Sequence, residues 1–180
     1  MSTNRYLPHI HVLPEDDANR QIANGFHLGL EAGLQQRQFY VLEEAGGWSQ
    51  VLDRFCSVYA AEMEKTPTRF MVLLIDFDNK ADRLELAKDR IPNHLRDRVF
   101  VLGALSEPED LKSDLGSFET IGLAIARDCC ENTTATWSHK LLRHKAAEMV
   151  RLSSQVRPIL FDDMNCGKPA GRARLTPPAL

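Results

Sequence analysis

Phe70–Ile75 reads Phe-Met-Val-Leu-Leu-Ile, an unbroken apolar run with no polar position in it. A run this short and continuous does not suit a half-exposed element. It fits a strand covered on both faces, the usual state of a central parallel strand. The run stops at Asp76-Phe77-Asp78-Asn79. In an open α/β sheet, ligands gather just beyond the carboxyl ends of the strands, where this acidic segment falls. In an extended chain residues i and i+2 point to one side, about 7 Å apart. Asp76 and Asp78 are therefore expected to converge on one hydrated divalent cation or on a pair of them. The plainer alternative is a polar strand exit, with Asp78 or Asn79 capping the next helix.

The rest of the chain supplies partners for that strand. Ile10–Leu13 is a short apolar strand running into Pro14-Glu15-Asp16-Asp17, and Asp16 or Asp17 can cap a helix over Ala18–Leu34. Gly25, Gly29 and Gly33 in that helix permit close backbone approach. Gln38–Leu42 is a second strand. It ends in a Gly46-Gly47 turn before a helix over Trp48–Lys65, whose apolar stripe includes Val51, Leu52, Phe55 and Met63. A helix over Lys80–Asp89 and a strand over Arg98–Leu102 follow the central run. The alternation implies an α/β fold, a Rossmann-like and mainly parallel sheet of about four strands flanked by helices. Beyond it the pattern turns helical, over Phe118–Cys130 and Ser138–Leu152. Val156–Phe161 reads as an edge strand, because Pro158 is excluded from a central one. Residues 5–115 are thus the α/β core, 116–163 a helical C-terminal extension with that edge strand, and 164–180 a flexible tail.

Composition narrows the function. The chain has 180 residues, 43% hydrophobic and 26% charged, enough for a real core. A net charge of −3 argues against a protein that coats nucleic acid, and leaves room only for a local basic patch. No apolar run is long enough to span a membrane, and the polar N-terminus carries no secretory signal. The 4 cysteines match no zinc spacing. A cytoplasmic protein with reduced thiols is the expectation.

The strand-end residues resemble the Toprim superfamily, the catalytic module of topoisomerases, DnaG-type primases and OLD-family nucleases. In that family a glutamate ends the first strand, a glycine-bearing turn follows the second, and Asp-x-Asp ends the third. Here these are Glu15 in VLPEDD, Gly46-Gly47 in EEAGGW, and Asp76 and Asp78 in LLIDFDNK, within Ile10–Lys112. Two positions depart from the pattern. Asp16 stands where glycine usually follows the glutamate, and no glycine occurs in Asn79-Lys80-Ala81-Asp82. The resemblance implies Mg²⁺- or Mn²⁺-dependent making or breaking of phosphodiester bonds. Asp76 and Asp78 would hold the metal, with Glu15 as general acid/base or a further ligand, and nucleic acid as partner. The size of the chain suits a small nuclease of this type, having no room for strand-passage or primase domains. A partner protein or a homo-oligomer stands as the alternative association.

Further residues are read beside this set. Asp16, Glu107 and Asp110 are second-rank acids; Glu107 and Asp110 precede a helix, where acidic residues ordinarily complement the dipole. Lys80, Lys140, Arg143 and His144 are candidates for phosphate or nucleic-acid contact. Lys140, Arg143, His144 and Arg151 would share one face of the Ser138–Leu152 helix while Leu142, Ala146 and Met149 face the core. The alternative there is a solvated face with Glu148 in a local ion pair. His9 and His11 form an H-x-H without a third zinc ligand, and read as a satisfied edge pair. Two rival functions stay open. One is a haloacid dehalogenase-like phosphatase using Asp76-Phe77-Asp78, Ser106 and Asp162-Asp163. The other is a Toprim-like binding module without catalysis.

Overall fold

The computed structural model describes residues 6–30, 35–80 and 82–161. Four strands, β1 (His9–Pro14), β2 (Phe39–Val41), β3 (Arg69–Leu74) and β4 (Val99–Leu102), form one sheet in the order β2-β1-β3-β4. Every pairing is parallel. The expected α/β sheet is therefore present, with β1 and β3 in its interior.

Alternation along the strands splits the core into two layers. Ile10 and Val12 of β1, Val72 of β3, and Phe100 and Leu102 of β4 face one side. There they meet α1 (Asp17–Leu28), α5 (Pro108–Leu115), α6 (Phe118–Glu131) and α7 (Ala146–Leu160). Leu13, Met71, Leu73, Val99 and Val101 face the other side, against α2 (Trp48–Arg54), α3 (Ala60–Lys65) and α4 (Arg83–Arg90). The two C-terminal helices α6 and α7 thus supply much of one covering layer. Helices α2 and α3 continue each other through a π-helical turn, Phe55–Tyr59, so Trp48–Lys65 is helical throughout as expected.

Small residues set how tightly this layer closes. A Cβ on Gly25 would stand 2.2 Å from the Glu119 carbonyl oxygen, and one on Gly122 would stand 2.1 Å from that of Ile22. Helices α1 and α6 therefore touch backbone to backbone, which answers why glycines sit inside α1 despite their low helix propensity. Helix α1 is capped by Asp16, whose carboxylate accepts from the Asn19 N–H, and ends at Leu28 instead of Leu34. Gly33 and Leu34 lie outside the described residues.

Two readings of the C-terminal half need correction. Residues Ser138–Leu142 are turns, a short 3₁₀ turn covers Arg143–Lys145, and α7 begins only at Ala146. Val156–Phe161 is not an edge strand; residues to Leu160 belong to α7. Met149, Leu152, Val156 and Leu160 make a buried stripe at helical spacing. Pro158 sits in the last turn, where it removes only one bond of the helical ladder. Ala146 is exposed, not core-facing. Residues 162–180, including the expected tail and Asp162-Asp163, lie outside the described residues. Cys56 and Cys129 carry free thiols. Cys130 is disulfide-bonded, which corrects the expectation of reduced thiols at that position.

Candidate functional site

Strand order decides where a site can form. After β1 the chain passes through α1 on one face to reach β2. It then crosses to the far side of β1 to lay down β3, which leaves through α4 on the opposite face. Between β1 and β3 the connections diverge, and a crevice opens beyond their carboxyl ends. Glu15 follows β1 and Asp76 follows β3, so both stand at this switch point.

The ladder continues past the formal strand ends. The Glu15 N–H donates to the Leu74 carbonyl (2.9 Å), Ile75 to Leu102 (2.9 Å), Phe77 to Ala104 (3.0 Å) and Asn79 to Leu105 (2.7 Å). Gly103 makes this possible: at φ +150°, a Cβ there would lie 1.6 Å from the Ile75 carbonyl oxygen. On the other side the Gly46 N–H donates to the Glu15 carbonyl at 2.8 Å, and Gly46 itself has φ +96°. The predicted glycine turn therefore lies beside Glu15.

Side chains then tie the crevice together. The Glu15 carboxylate accepts from the Asp76 backbone N–H at 2.8 Å. The Asn19 amide donates to both Asp16 Oδ1 and Asp76 Oδ1, each at 3.0 Å. Arg83, 2% exposed, donates from one nitrogen to the Asp76 carbonyl (2.5 Å) and pairs through another with the Asp78 carboxylate (2.8 Å). Its guanidinium lies over the Trp48 ring, 4.7 Å from the centroid.

Burial pushes the Asp76 carboxyl up to about 7, and the nearby Glu15, Asp16 and Asp78 carboxylates add to this against the pull of the Asn19 hydrogen bond. Burial also raises Glu15, opposed by hydrogen bonds from the Asp76 and Trp48 backbone N–H groups. A protonated carboxyl near neutral pH is a group that a cation would ionise.

The acids do not converge as the i, i+2 spacing suggests. Asp78 is not extended: it lies at φ 45° and Asn79 at φ 57°, both left-handed. Asp76 is buried while Asp78 is exposed and held by Arg83. The second-rank Asp16, by contrast, joins Asp76 through their common Asn19 donor. Among the described residues no three His, Cys, Asp or Glu side chains form a metal-holding group. The donor chemistry still suits Mg²⁺ or Mn²⁺: Mg²⁺ commonly takes one or two carboxylates and keeps several waters, which Asp76 with Asp16 or Glu15 can meet.

The remaining acids and bases are more scattered. Glu107 is exposed at the start of α5, and Asp110 accepts from the Ser106 hydroxyl (2.7 Å) within the same turn. Lys80 is exposed just after the acidic turn. Lys140 pairs with Asp114 at 3.2 Å, and Arg143 is exposed. The His144 ring packs edge-on against Phe77 (5.2 Å), both its nitrogens buried without hydrogen-bond partners. Arg151 binds the Glu148 carboxylate and the Arg96 and Val99 carbonyls. A shared basic face does not form, because Ser138–Leu142 are turns and Arg143–Lys145 a 3₁₀ turn, so the α-helix begins only at Ala146. Phe77, between the two aspartates, is fully buried, and the Lys145 ammonium lies 3.8 Å from its ring centroid. The H-x-H pair is interior, not at an edge. His9 is bonded to the Leu7 carbonyl and Arg69, while both His11 nitrogens are buried without partners.

Asn19 and Arg83 were missed by sequence reasoning. Arg83 left one signal: a cation in the first turn of a helix opposes the dipole, so it calls for a nearby carboxylate. No protein-family model matches the chain, and no curated protein or solved structure matches it.

Proposed function

We propose that this protein acts on phosphodiester bonds with Mg²⁺ or Mn²⁺ at the Glu15–Asp16–Asp76–Asp78 crevice, as a small nuclease of Toprim type. The observation that carries the reading is the 2.8 Å bond from the Asp76 N–H to the Glu15 carboxylate, which joins the ends of two strands at the sheet's switch point. A bound divalent ion would supply Lewis-acid polarisation of a phosphate oxygen. Asp76 is the first candidate ligand, with Asp16, Glu15 or Asp78 completing its carboxylate set. Glu15, half-buried with its carboxyl raised, is suited to hold or release a proton. Lys80, and at longer range Lys140, Arg143 and His144, are the candidates for phosphate contact.

The test is cleavage of labelled single- and double-stranded DNA and RNA with Mn²⁺, in wild type, Asp76→Asn and Glu15→Gln. The reading expects metal-dependent cleavage in wild type and its loss in both variants. Equal activity in all three would end it.

A second reading has its own support. Arg83 already compensates Asp78 from a buried position, so the cluster is partly neutralised without metal, as a binding module lacking catalysis would need. Saturable Mn²⁺ binding with no cleavage of any of the four substrates would favour it. For the phosphatase rival, Ser106 is engaged with Asp110, and trapping of Asp76 by fluoroberyllate is its separate test.

A further inference from the structure

The link between α6 and α7 is rich in small hydroxyl residues, Asn132-Thr-Thr-Ala-Thr-Trp137-Ser138, and α7 presents Val150, Ser153, Ser154 and Arg157 toward it. Between them lies a cleft of about 460 Å³, within the range of small-molecule sites. It includes none of Glu15, Asp16, Asp76 and Asp78; Arg143 is the one residue it has in common with the long-range phosphate candidates named above.

Charge in the cleft is one-sided. Among the described residues Asp128 is its one acidic lining residue, and that carboxylate is fully engaged: it accepts from the Thr133 hydroxyl (2.9 Å) and from the Thr136 (2.6 Å) and Trp137 (3.3 Å) N–H groups. Two arginines oppose it. Arg157 donates to the Cys130 carbonyl at 3.1 Å. Arg143 is exposed and makes no side-chain hydrogen bond or ion pair among the described residues. An arginine in that state is free to take a carboxylate or phosphate through its planar fork.

The back wall is apolar. Trp137 and Met149 line the cleft and, from their other side, an apolar cavity of about 70 Å³ against the sheet. Trp137 is 6% exposed, yet its indole N–H has no hydrogen-bond partner. A buried donor left unpaired is costly and rare in native proteins. Inorganic phosphate alone would use Arg143 and leave the apolar wall wet.

We propose that the α6–α7 cleft binds a small organic anion, its charged head on Arg143 and its apolar body against Trp137 and Met149.

The probe is 8-anilinonaphthalene-1-sulfonate, titrated into the full chain at neutral pH and read by its fluorescence and by the two indole N–H resonances. Trp48→Phe identifies which resonance is which. One saturable site is expected, shifting the Trp137 resonance and leaving that of Trp48 in place. Arg143→Gln and Val150→Glu alter exposed side chains, so folding is spared; each should weaken binding about tenfold, while Val150→Lys should not. The neutral analogue N-phenyl-1-naphthylamine should bind about tenfold more weakly than the sulfonate. The proposal is overturned by absence of saturable binding, by a shift of the Trp48 resonance alone, by equal affinity for the neutral analogue, or by affinity unchanged in both Arg143→Gln and Val150→Glu.

Discussion

The Glu15 carboxylate accepts a 2.8 Å hydrogen bond from the backbone N–H of Asp76, a residue 61 positions away. That bond fastens the exit of β1 to the exit of β3 and buries two carboxyl groups side by side. Burial of the Asp76 carboxyl beside Glu15 makes the stability of the fold depend on pH.

The Asp76 carboxyl rises from 3.8 to about 7 on folding. Between those values the folded chain keeps a proton that the unfolded chain has released. This group's contribution is therefore full below the unfolded value, falls by about 1.4 kcal/mol per pH unit as pH rises, and levels off above about 7. Asp76→Asn removes the titration. The stability of wild type minus that of the variant, from urea melts at pH 4 to 8, should decline across this window; His11 and His144, both held neutral by burial, cancel in the difference. A flat difference would contradict the burial argument.

Divalent metal should reverse that loss. At 100 times its dissociation constant, Mn²⁺ binding only to the folded chain adds about 2.7 kcal/mol. The melting temperature of wild type at pH 8 should rise with Mn²⁺ and that of Asp76→Asn should stay level. No shift in wild type at millimolar Mn²⁺ would remove metal from the account.

Arg83 is the buried counter-charge of the acidic turn. Arg83→Gln leaves the Asp76 carbonyl and the Asp78 carboxylate without their donor; Asp78 is exposed and hydrates, so the cost is that of the buried carbonyl, about 1–3 kcal/mol. Arg83→Lys keeps the charge but cannot reach both oxygens with one planar group. It should recover only part of the loss in a denaturant melt, and full recovery would show that charge alone matters.

Two glycines separate steric from conformational demand. Gly46→Ala meets no atom within 4 Å and suffers only from its φ of +96°, a cost of about 1–2 kcal/mol. Gly103→Ala would drive a methyl to 1.6 Å from the Ile75 carbonyl oxygen and should leave no folded protein. Circular dichroism and thermal melts of the two variants check both statements.

The sheet, its strands and the acidic strand exits were legible because they rest on local pattern. Six apolar residues ending in Asp76 announce a covered strand whatever surrounds them, and Glu15 after Ile10–Pro14 repeats the motif at β1. The C-terminal half was legible only in part. Val156–Phe161 is short and apolar, and strand and helix cannot be told apart over such a length by periodicity; in the fold Val156 and Leu160 continue the helical stripe of Met149 and Leu152, packed in one layer with Ile10, Val12 and Val72.

Sequence alone, then, determined the layered architecture and which carboxylates stand at the sheet's rim, since alternation and strand ends are properties of neighbouring residues. Tertiary structure decided which of those carboxylates meet. Asn19 and Arg83 lie 57 and 7 positions from Asp76, and only the switch between β1 and β3 brings an amide to Asp16 and Asp76 and turns Asp78 toward a buried guanidinium. Hydrogen bonds between distant side chains follow from how the chain crosses the sheet, and no local spacing encodes them.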